Sequence, residues 1–284
     1  MILVNDIDSA FEYYNLDNKY KNRCYECANN VNSNELFLNS FNKIYNLLNY
    51  EDFSNIKELW KYKDVSELFC VNIDPFVTNL MIIISYKVHQ ENIKKYNLDQ
   101  EQVNIHKNRI KENFLKDLEE RNYNSVRISQ MLWSYYFIRV RLIEVGRLQY
   151  ELLETNQYES IIKIHIPSGG KLDYNAVVDS INLSKQRLKK IYKIDNLCYK
   201  CSSWLLSNKL DEIIDKNTNI HKFYSLFDVK DGDDCTNDIL NFVFKLKECN
   251  NYSILSEETN LQKIIKKELI NGTIFNIGIG TLRR

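Results

Sequence analysis

The apolar residues of the first 125 positions recur at helical spacing, and no stretch among them alternates with period two. Two clear series are Phe37, Phe41, Ile44 and Leu48, and Val103, Ile110, Phe114 and Leu118. Such spacing brings apolar side chains to one face of a helix, whereas a half-buried strand needs alternation. We therefore predict an all-helical domain over residues 1–125.

Two helix starts are marked by aspartates, which accept hydrogen bonds from the free N–H groups of a first turn. Asp74-Pro75 predicts a helix that continues to about Lys95, because proline suits the first helical position. Its early residues Leu80-Met81-Ile82-Ile83-Ile84 are apolar all round, so we expect this helix to be buried. Asp99 predicts the start of the next helix.

The pattern changes near Gly146. Residues 126–143 fit both a helix and a strand, but their length, and Gly146 placed to end a helix in the left-handed conformation, favour a helix. Polar and apolar residues then alternate from Arg147 to Leu152, and again from Ile162 to Ile166, which predicts two strands. A turn at Thr155-Asn156-Gln157 would join them, and Pro167 would end the second strand.

Further helices and strands are predicted to interleave up to the C-terminus. Asp173 is predicted to cap a helix whose inner face carries Val177, Ile181, Ser184, Leu188 and Ile191. Strands are expected near 198–206, 220–227 and 273–279, with a short helix after the first and a helix from Ser256 to Gly272 before the last. The expected fold class is α+β, with a mixed α/β domain over residues 126–284.

Composition excludes several classes of partner. With 38 basic and 38 acidic residues, the chain lacks the positive field that nucleic-acid binding needs. Met1-Ile2-Leu3-Val4 is too short for a signal peptide, and the apolar run at 80–84 is too short to cross a membrane. We expect a cytoplasmic protein whose seven cysteines are reduced thiols. The oligomeric state is left open.

Two Cys-x-x-Cys pairs, Cys24/Cys27 and Cys198/Cys201, have the spacing of zinc ligands. They lie in different predicted domains, and the second pair falls in a predicted strand, where a zinc knuckle does not fit. Buried free thiols are therefore the expectation, and no metal is expected. A zinc-stabilised protein stays as a weaker alternative.

Four segments of the second half form an ordered set of motifs: Gly146-Arg147-Leu148-Gln149-Tyr150-Glu151-Leu152, Ile164-His165-Ile166-Pro167-Ser168-Gly169, Cys201-Ser202-Ser203-Trp204-Leu205-Leu206, and Asn219-Ile220 with Phe223 and Phe227. Together they resemble a bacterial acyltransferase-domain family with a helical N-terminal domain and a GNAT-like C-terminal domain. The strong matches cover about half of the chain. One departure is Ser202, where the family often carries a histidine.

The resemblance implies an N-acyltransferase that uses acetyl-CoA or another acyl-CoA and a small-molecule amine or a peptide as acceptor. In GNAT-like enzymes the CoA diphosphate lies where a strand meets a helix, and here Ser168, Gly169 and Gly170 form that junction. We call these three residues the glycine loop. The loop lacks the spaced glycines of the usual fingerprint, so an ordinary turn is the alternative.

A polar face is the second candidate feature: Arg147, Gln149 and Glu151 on one strand, and Lys163 and His165 on the next. If the strands pair as a hairpin, all five side chains lie on one side of the sheet. This polar face could be solvated, or it could line a cleft in which Glu151 or His165 removes a proton from an amine. Arg147, Gln149, Ser202 and Ser203 are then candidate substrate-binding residues.

A second function is also compatible with the residues. Ser202 and the missing glycine fingerprint favour a non-catalytic protein that keeps the GNAT-like fold and binds a small ligand or a partner.

Overall fold

The computed structural model describes residues 4–52, 56–62, 65–120, 128–155 and 159–283. The chain divides into two compact units, Met1–Ile143 and Glu144–Arg284. The predicted domain boundary at residue 125 lies outside the described residues, as do residues 1–3 and residues 156 and 157 of the predicted turn. A helical region followed by a mixed α/β domain confirms the predicted fold class.

The described part of the first unit contains eight α-helices and two short 3₁₀ turns. The helices are α1 Val4–Tyr14, α2 Lys21–Ser33, α3 Glu35–Asn49, α4 Val65–Phe69, α5 Val77–Ile84, α6 Tyr86–Lys95, α7 Gln100–Glu120 and α8 Ile128–Ile138, with the turns at Asn18–Tyr20 and Lys57–Lys61. No described helix is long and apolar enough to cross a membrane.

One predicted helix start is confirmed, the other is displaced, and one predicted helix is divided. Asp99 Oδ1 accepts from Gln102 N at 3.0 Å and caps α7. Asp74 Oδ1 accepts from Phe76 N at 3.0 Å in the turn before α5, and the helix itself begins at Val77 with Phe76 as its N-cap. The segment expected to be one helix to Lys95 breaks at Ser85, between α5 and α6. Because the Ser85 hydroxyl is bonded within the buried core, the break is part of the packing rather than an exposed hinge.

The inner face of α7 is more polar than its apolar pattern predicted. Ile110 and Phe114 are buried as expected, but Val103 is only half-buried and the side chain of Leu118 lies outside the described residues. His106 takes a fully buried position and stacks on His89 of α6, with ring centroids 5.6 Å apart. Burial lowers the pKa of His106 to about 4 and holds the pKa of His89 well below its usual value.

These two histidines make stability depend on pH. The folded-state pKa of His106 lies below the usual value of 6.5, so the unfolded chain binds a proton more readily than the folded protein does. We expect the free energy of unfolding to fall as pH drops from 6.5 toward 4, by about 1 kcal/mol per pH unit for each histidine. Denaturant titrations of wild type and His106→Gln at several pH values measure this slope.

The His106→Gln variant should show the shallower slope, since it has one buried imidazole fewer. Phe114→Leu, a change on the same face of α7, is the matched control because it perturbs packing and keeps both histidines. Equal slopes in wild type and His106→Gln would contradict the assignment of this pH dependence to the buried imidazole of His106.

The second unit is built on a six-stranded sheet in the order β1-β2-β3-β4-β6-β5. Its strands are β1 Leu142–Val145, β2 Leu148–Thr155, β3 Ser160–His165, β4 Leu197–Ser203, β5 Phe227–Asp234 and β6 Asn276–Leu282. β3 and β4 are parallel, whereas β2–β3, β4–β6 and β5–β6 are antiparallel. A parallel pair needs a crossover, and α9 (Tyr174–Tyr192) supplies it.

The crossover helix matches its prediction closely. Asp173 Oδ1 accepts from Ala176 N at 3.0 Å, and the five predicted inner-face residues are all buried. The remaining helices of this unit are α10 Asn208–Ile213, α11 Asn219–Tyr224, α12 Thr236–Phe244 and α13 Asn260–Ile270, with 3₁₀ turns at Trp204–Leu206 and Tyr252–Ile254.

Three further local predictions were wrong. Helix α8 ends at Ile138, and Gly146, with φ +58°, belongs to the turn between β1 and β2 rather than to a helix end. Most of the predicted strand at 220–227 is the helix α11, and β5 begins only at Phe227. The Thr218 hydroxyl accepts from His221 N and so caps the start of this helix. The C-terminal helix begins at Thr259, which forms a capping box with Gln262, and not at Ser256.

Close approach of the chain to β6 requires Gly278. The 3₁₀ turn after β4 lies against this strand, and a Cβ on Gly278 would be 1.9 Å from the carbonyl oxygen of Leu206. A backbone atom cannot move aside as a flexible side chain can, so the turn and strand tolerate only glycine here.

We expect Gly278→Ala to lower the free energy of unfolding by more than about 3 kcal/mol, because it overpacks a fixed backbone contact. Gly272→Ala is the control: that residue has φ +81° but open space at its Cβ, so it should cost only about 1 kcal/mol. Urea denaturation compares the two, and similar losses would argue against the contact.

Candidate active site

The strand pairing brings the polar face together. β2 and β3 pair with Gln149 opposite His165 and Glu151 opposite Lys163, so these four side chains share one side of the sheet. The register thus confirms the predicted hairpin parity for the four strand residues. Arg147 precedes β2 and lies in the β1–β2 turn instead.

Glu151 and His165 form a direct pair. His165 Nε2 lies 2.8 Å from Glu151 Oε2, and the two side chains are 19% and 5% exposed. Gln149 donates from Nε2 to Glu144 Oε2 at 2.7 Å, which adds a second polar pair between β2 and β1. A carboxylate held against an imidazole in a sheltered position can accept and pass on a proton.

The pair lies where the parallel strands stop pairing. The register of β3 with β4 runs from Ser160 opposite Leu197 to Ile164 opposite Cys201, and His165 and Ser202 are the next residues on each strand. β4 continues in register with β6 through Ser202 and Ser203. Ligands of open α/β sheets bind at the carboxyl ends of such strands, so this edge is the candidate site.

The glycine loop follows directly at the same edge. Gly169 and Gly170 have φ of +89° and +74°, and both are exposed. No described atom lies within 4 Å of where a Cβ would be on either glycine. The loop therefore leaves room for a ligand to approach its backbone, just before the N-terminus of α9.

Arg147 contacts the glycine loop. Its Nε donates to the Lys171 carbonyl at 3.0 Å, Nη1 to the Pro167 carbonyl at 3.1 Å and Nη2 to the Gly170 carbonyl at 3.3 Å. Partial burial lowers the pKa of Arg147, while Glu144 opposes that change. The guanidinium predicted to bind substrate is thus bonded to the loop from the side.

The two serines of β4 differ in their surroundings. Ser202, where the resembled family often has histidine, is exposed. The Ser203 hydroxyl accepts from Leu205 N at 3.2 Å and so begins the 3₁₀ turn that follows the strand. Ser203 therefore has a local structural role at the edge of the site.

The cysteines are dispersed. Cys24 and Cys27 are buried on α2, and burial raises the pKa of Cys24 to about 12. Cys198 and Cys201 lie three residues apart in β4, which turns their side chains to opposite faces. Among the described residues, no group of three or more His, Cys, Asp or Glu could hold a metal ion.

Three polar features were not predicted. Glu144 bonds to Gln149, but the helix predicted over residues 126–143 leaves no place for the strand β1 that carries it. Lys200 is opposite Lys163 and adds a second lysine to this side of the sheet. A second histidine–carboxylate pair, His221 with Asp211 at 2.6 Å, joins α10 to α11 outside the site.

The sheet order, the parallel pair with its crossover helix and the loop at their edge define the second unit as a GNAT-like domain. Residues 142–282 match the family model described as the GNAT-like C-terminal domain, and this part of the chain belongs to that family. A comparison with proteins of curated function finds no significant match.

Solved acyltransferase structures have a similar fold. A crystal structure of an acyltransferase with decanoyl-CoA and teicoplanin is 18% identical, with a TM-score of 0.63 over 73% of this chain and 66% of that chain. An acyltransferase with decanoyl-CoA is 14% identical, with a TM-score of 0.63 over 97% of this chain and 98% of that chain. A mutant acyltransferase with octanoyl-CoA is 14% identical, with a TM-score of 0.62 over 98% and 99%.

Proposed function

We propose that the protein is an acyl-CoA-dependent N-acyltransferase, which moves an acyl group from a CoA thioester to the amine of a small molecule or peptide. The observation that carries this proposal is the Glu151–His165 pair at the edge where β3 and β4 stop pairing. Membership of the GNAT-like family and the acyl-CoA bound by the similar acyltransferases support it.

The donor would bind along the carboxyl edge of β3. Its diphosphate would lie at Ser168, Gly169 and Gly170, because positive φ and open space let an anion approach the loop N–H groups. The positive end of the α9 dipole favours the same position, although Asp173 already uses the N–H of Ala176. The pantetheine and thioester would then extend toward His165 and Ser202.

The Glu151–His165 pair would supply acid–base chemistry. In this mechanism the pair takes a proton from the acceptor ammonium, and the freed amine nitrogen attacks the thioester carbonyl carbon. The oxyanion is stabilised by backbone N–H groups at the strand ends, and the C–S bond breaks as the carbonyl re-forms. The nitrogen gives up its second proton and the departing thiolate takes up one proton, which leaves a neutral amide and free CoA, while the pair returns the proton of the ammonium to solvent. Gln149 and Ser202 border this position and would contact the acceptor, with Ser203 behind them.

Removing either partner of the pair should slow catalysis without unfolding the protein. We expect Glu151→Gln and His165→Gln each to lower kcat by about 10²-fold or more. His221→Gln is the matched control, because it breaks a histidine–carboxylate pair outside the site. Free-thiol release from acyl-CoA with a panel of amines measures the rates. Equal losses in all three variants would contradict the assignment.

Acyl-CoA should also stabilise the folded protein. A ligand present at a hundred times its Kd adds about 2.7 kcal/mol to the free energy of unfolding, which corresponds to a rise in Tm of roughly 5 °C. Thermal melts with acetyl-, octanoyl- and decanoyl-CoA test this expectation. No rise at millimolar concentration with any of the three would count against the proposed function.

A non-catalytic GNAT-like binding protein is the second candidate. Ser202 in place of the family's frequent histidine and the absence of spaced glycines favour it. Binding of acyl-CoA with no thiol release over a broad amine panel, and no effect of Glu151→Gln on any activity, would support this alternative.

A further inference from the structure

We propose that Arg147 is a positioning residue that holds the glycine loop in its anion-binding conformation. The inference rests on the proposed function, since it assigns the loop to the donor diphosphate. Its physical basis is the set of three hydrogen bonds from one guanidinium to the carbonyls of Pro167, Gly170 and Lys171.

The direction of these bonds matters. A peptide group presents its carbonyl and its N–H on opposite sides. The carbonyls of Pro167, Gly170 and Lys171 turn toward Arg147, so the N–H groups that follow them, those of Ser168, Lys171 and Leu172, turn away from it. A diphosphate needs N–H donors and is repelled by carbonyl oxygens. By taking up three carbonyls, Arg147 withdraws the repulsive groups from the side that an anion would approach.

Arginine suits this task because its planar fork carries five N–H donors in fixed directions. A lysine ammonium at the same place would keep the charge, but it could not meet three carbonyls with the same geometry. The two glycines with positive φ would otherwise leave the loop free to sample several conformations.

The position of Arg147 is itself fixed by buried contacts. Gly146, with φ +58°, lets the β1–β2 turn approach α9 closely. A Cβ added to this glycine would lie 3.3 Å from the Cβ of Ser180. The Ser180 hydroxyl donates to the Val145 carbonyl and lies 2.8 Å from the Tyr150 hydroxyl. The turn is therefore anchored to the helix whose N-terminus follows the loop, so loop, helix and arginine form one assembly.

The first test needs no ligand. Backbone order parameters of residues 168–171, from nitrogen-15 relaxation, should be lower in Arg147→Lys and in Arg147→Ala than in wild type. Arg283→Lys, a change in an exposed arginine paired with Asp228, is the matched control and should leave the order parameters of the loop unchanged. Unchanged order parameters in both Arg147 variants would overturn the positioning role, whether or not the protein binds CoA.

The second test compares a donor with and without the diphosphate. Arg147→Lys should weaken binding of CoA, measured by calorimetry, by about tenfold, because it loses hydrogen bonds but keeps the charge. The KM for acetyl-CoA should rise by a similar factor, while the KM for S-acetyl-pantetheine, which lacks the diphosphate, should change less than about twofold.

Each outcome has one meaning. Wild-type affinity for CoA in Arg147→Lys would show that charge and not geometry matters, and it would overturn the proposal. Equal losses for acetyl-CoA and acetyl-pantetheine would indicate a general structural defect and would also overturn it. If wild type binds neither CoA nor acyl-CoA, the proposed function fails instead, and the relaxation experiment still decides whether Arg147 orders the loop.

Discussion

The antiparallel register between β2 and β3 determines the geometry of the site. It places Glu151 and His165 on one side of the sheet, close enough for a 2.8 Å contact, and it turns Tyr150 to the other side. A slip of one strand by one residue would place the carboxylate and the imidazole on opposite faces of the sheet and expose part of the core. The Glu151–His165 pair, the face on which Gln149 lies and the packing of α9 all depend on this single register.

The opposite side of the sheet explains why the register is stable. Tyr150 and Tyr199 project toward α9 from β2 and β4, the strands on either side of β3, and their hydroxyls lie 2.8 Å from the Ser180 hydroxyl and 3.0 Å from the Ser184 hydroxyl. Burial raises the pKa of Tyr199 to about 12, so it stays protonated in the physiological range. Buried hydroxyls need partners, and these pairs satisfy both members while fixing the helix on the sheet. These contacts hold α9 on one face of the sheet, and the opposite face carries the polar side chains of the candidate site.

Parallel pairing between β3 and β4 supplies the second constraint. The carboxyl ends of both strands lie at the same edge of the sheet. The glycine loop and the Ser202–Leu206 segment therefore both begin at that edge, although more than thirty residues separate them in sequence. Gly278 then lets the 3₁₀ turn fold over β6. The proposed donor and acceptor positions are thus brought together by topology, and no single segment of the sequence contains both.

Local signals in the sequence determined much of this protein. Helical spacing fixed the character of the first unit, the aspartates at 99 and 173 fixed helix starts, and alternation fixed β2 and β3 with the parity of their side chains. Tertiary structure decided what local patterns leave open. Residues 138–146 could not be assigned from periodicity, because a short buried strand and a buried helix end look alike in sequence. The buried His106, the contact of Glu144 with Gln149 and the turn of Arg147 toward three loop carbonyls depend on which elements become neighbours, and that is settled by long-range packing rather than by the residues nearby.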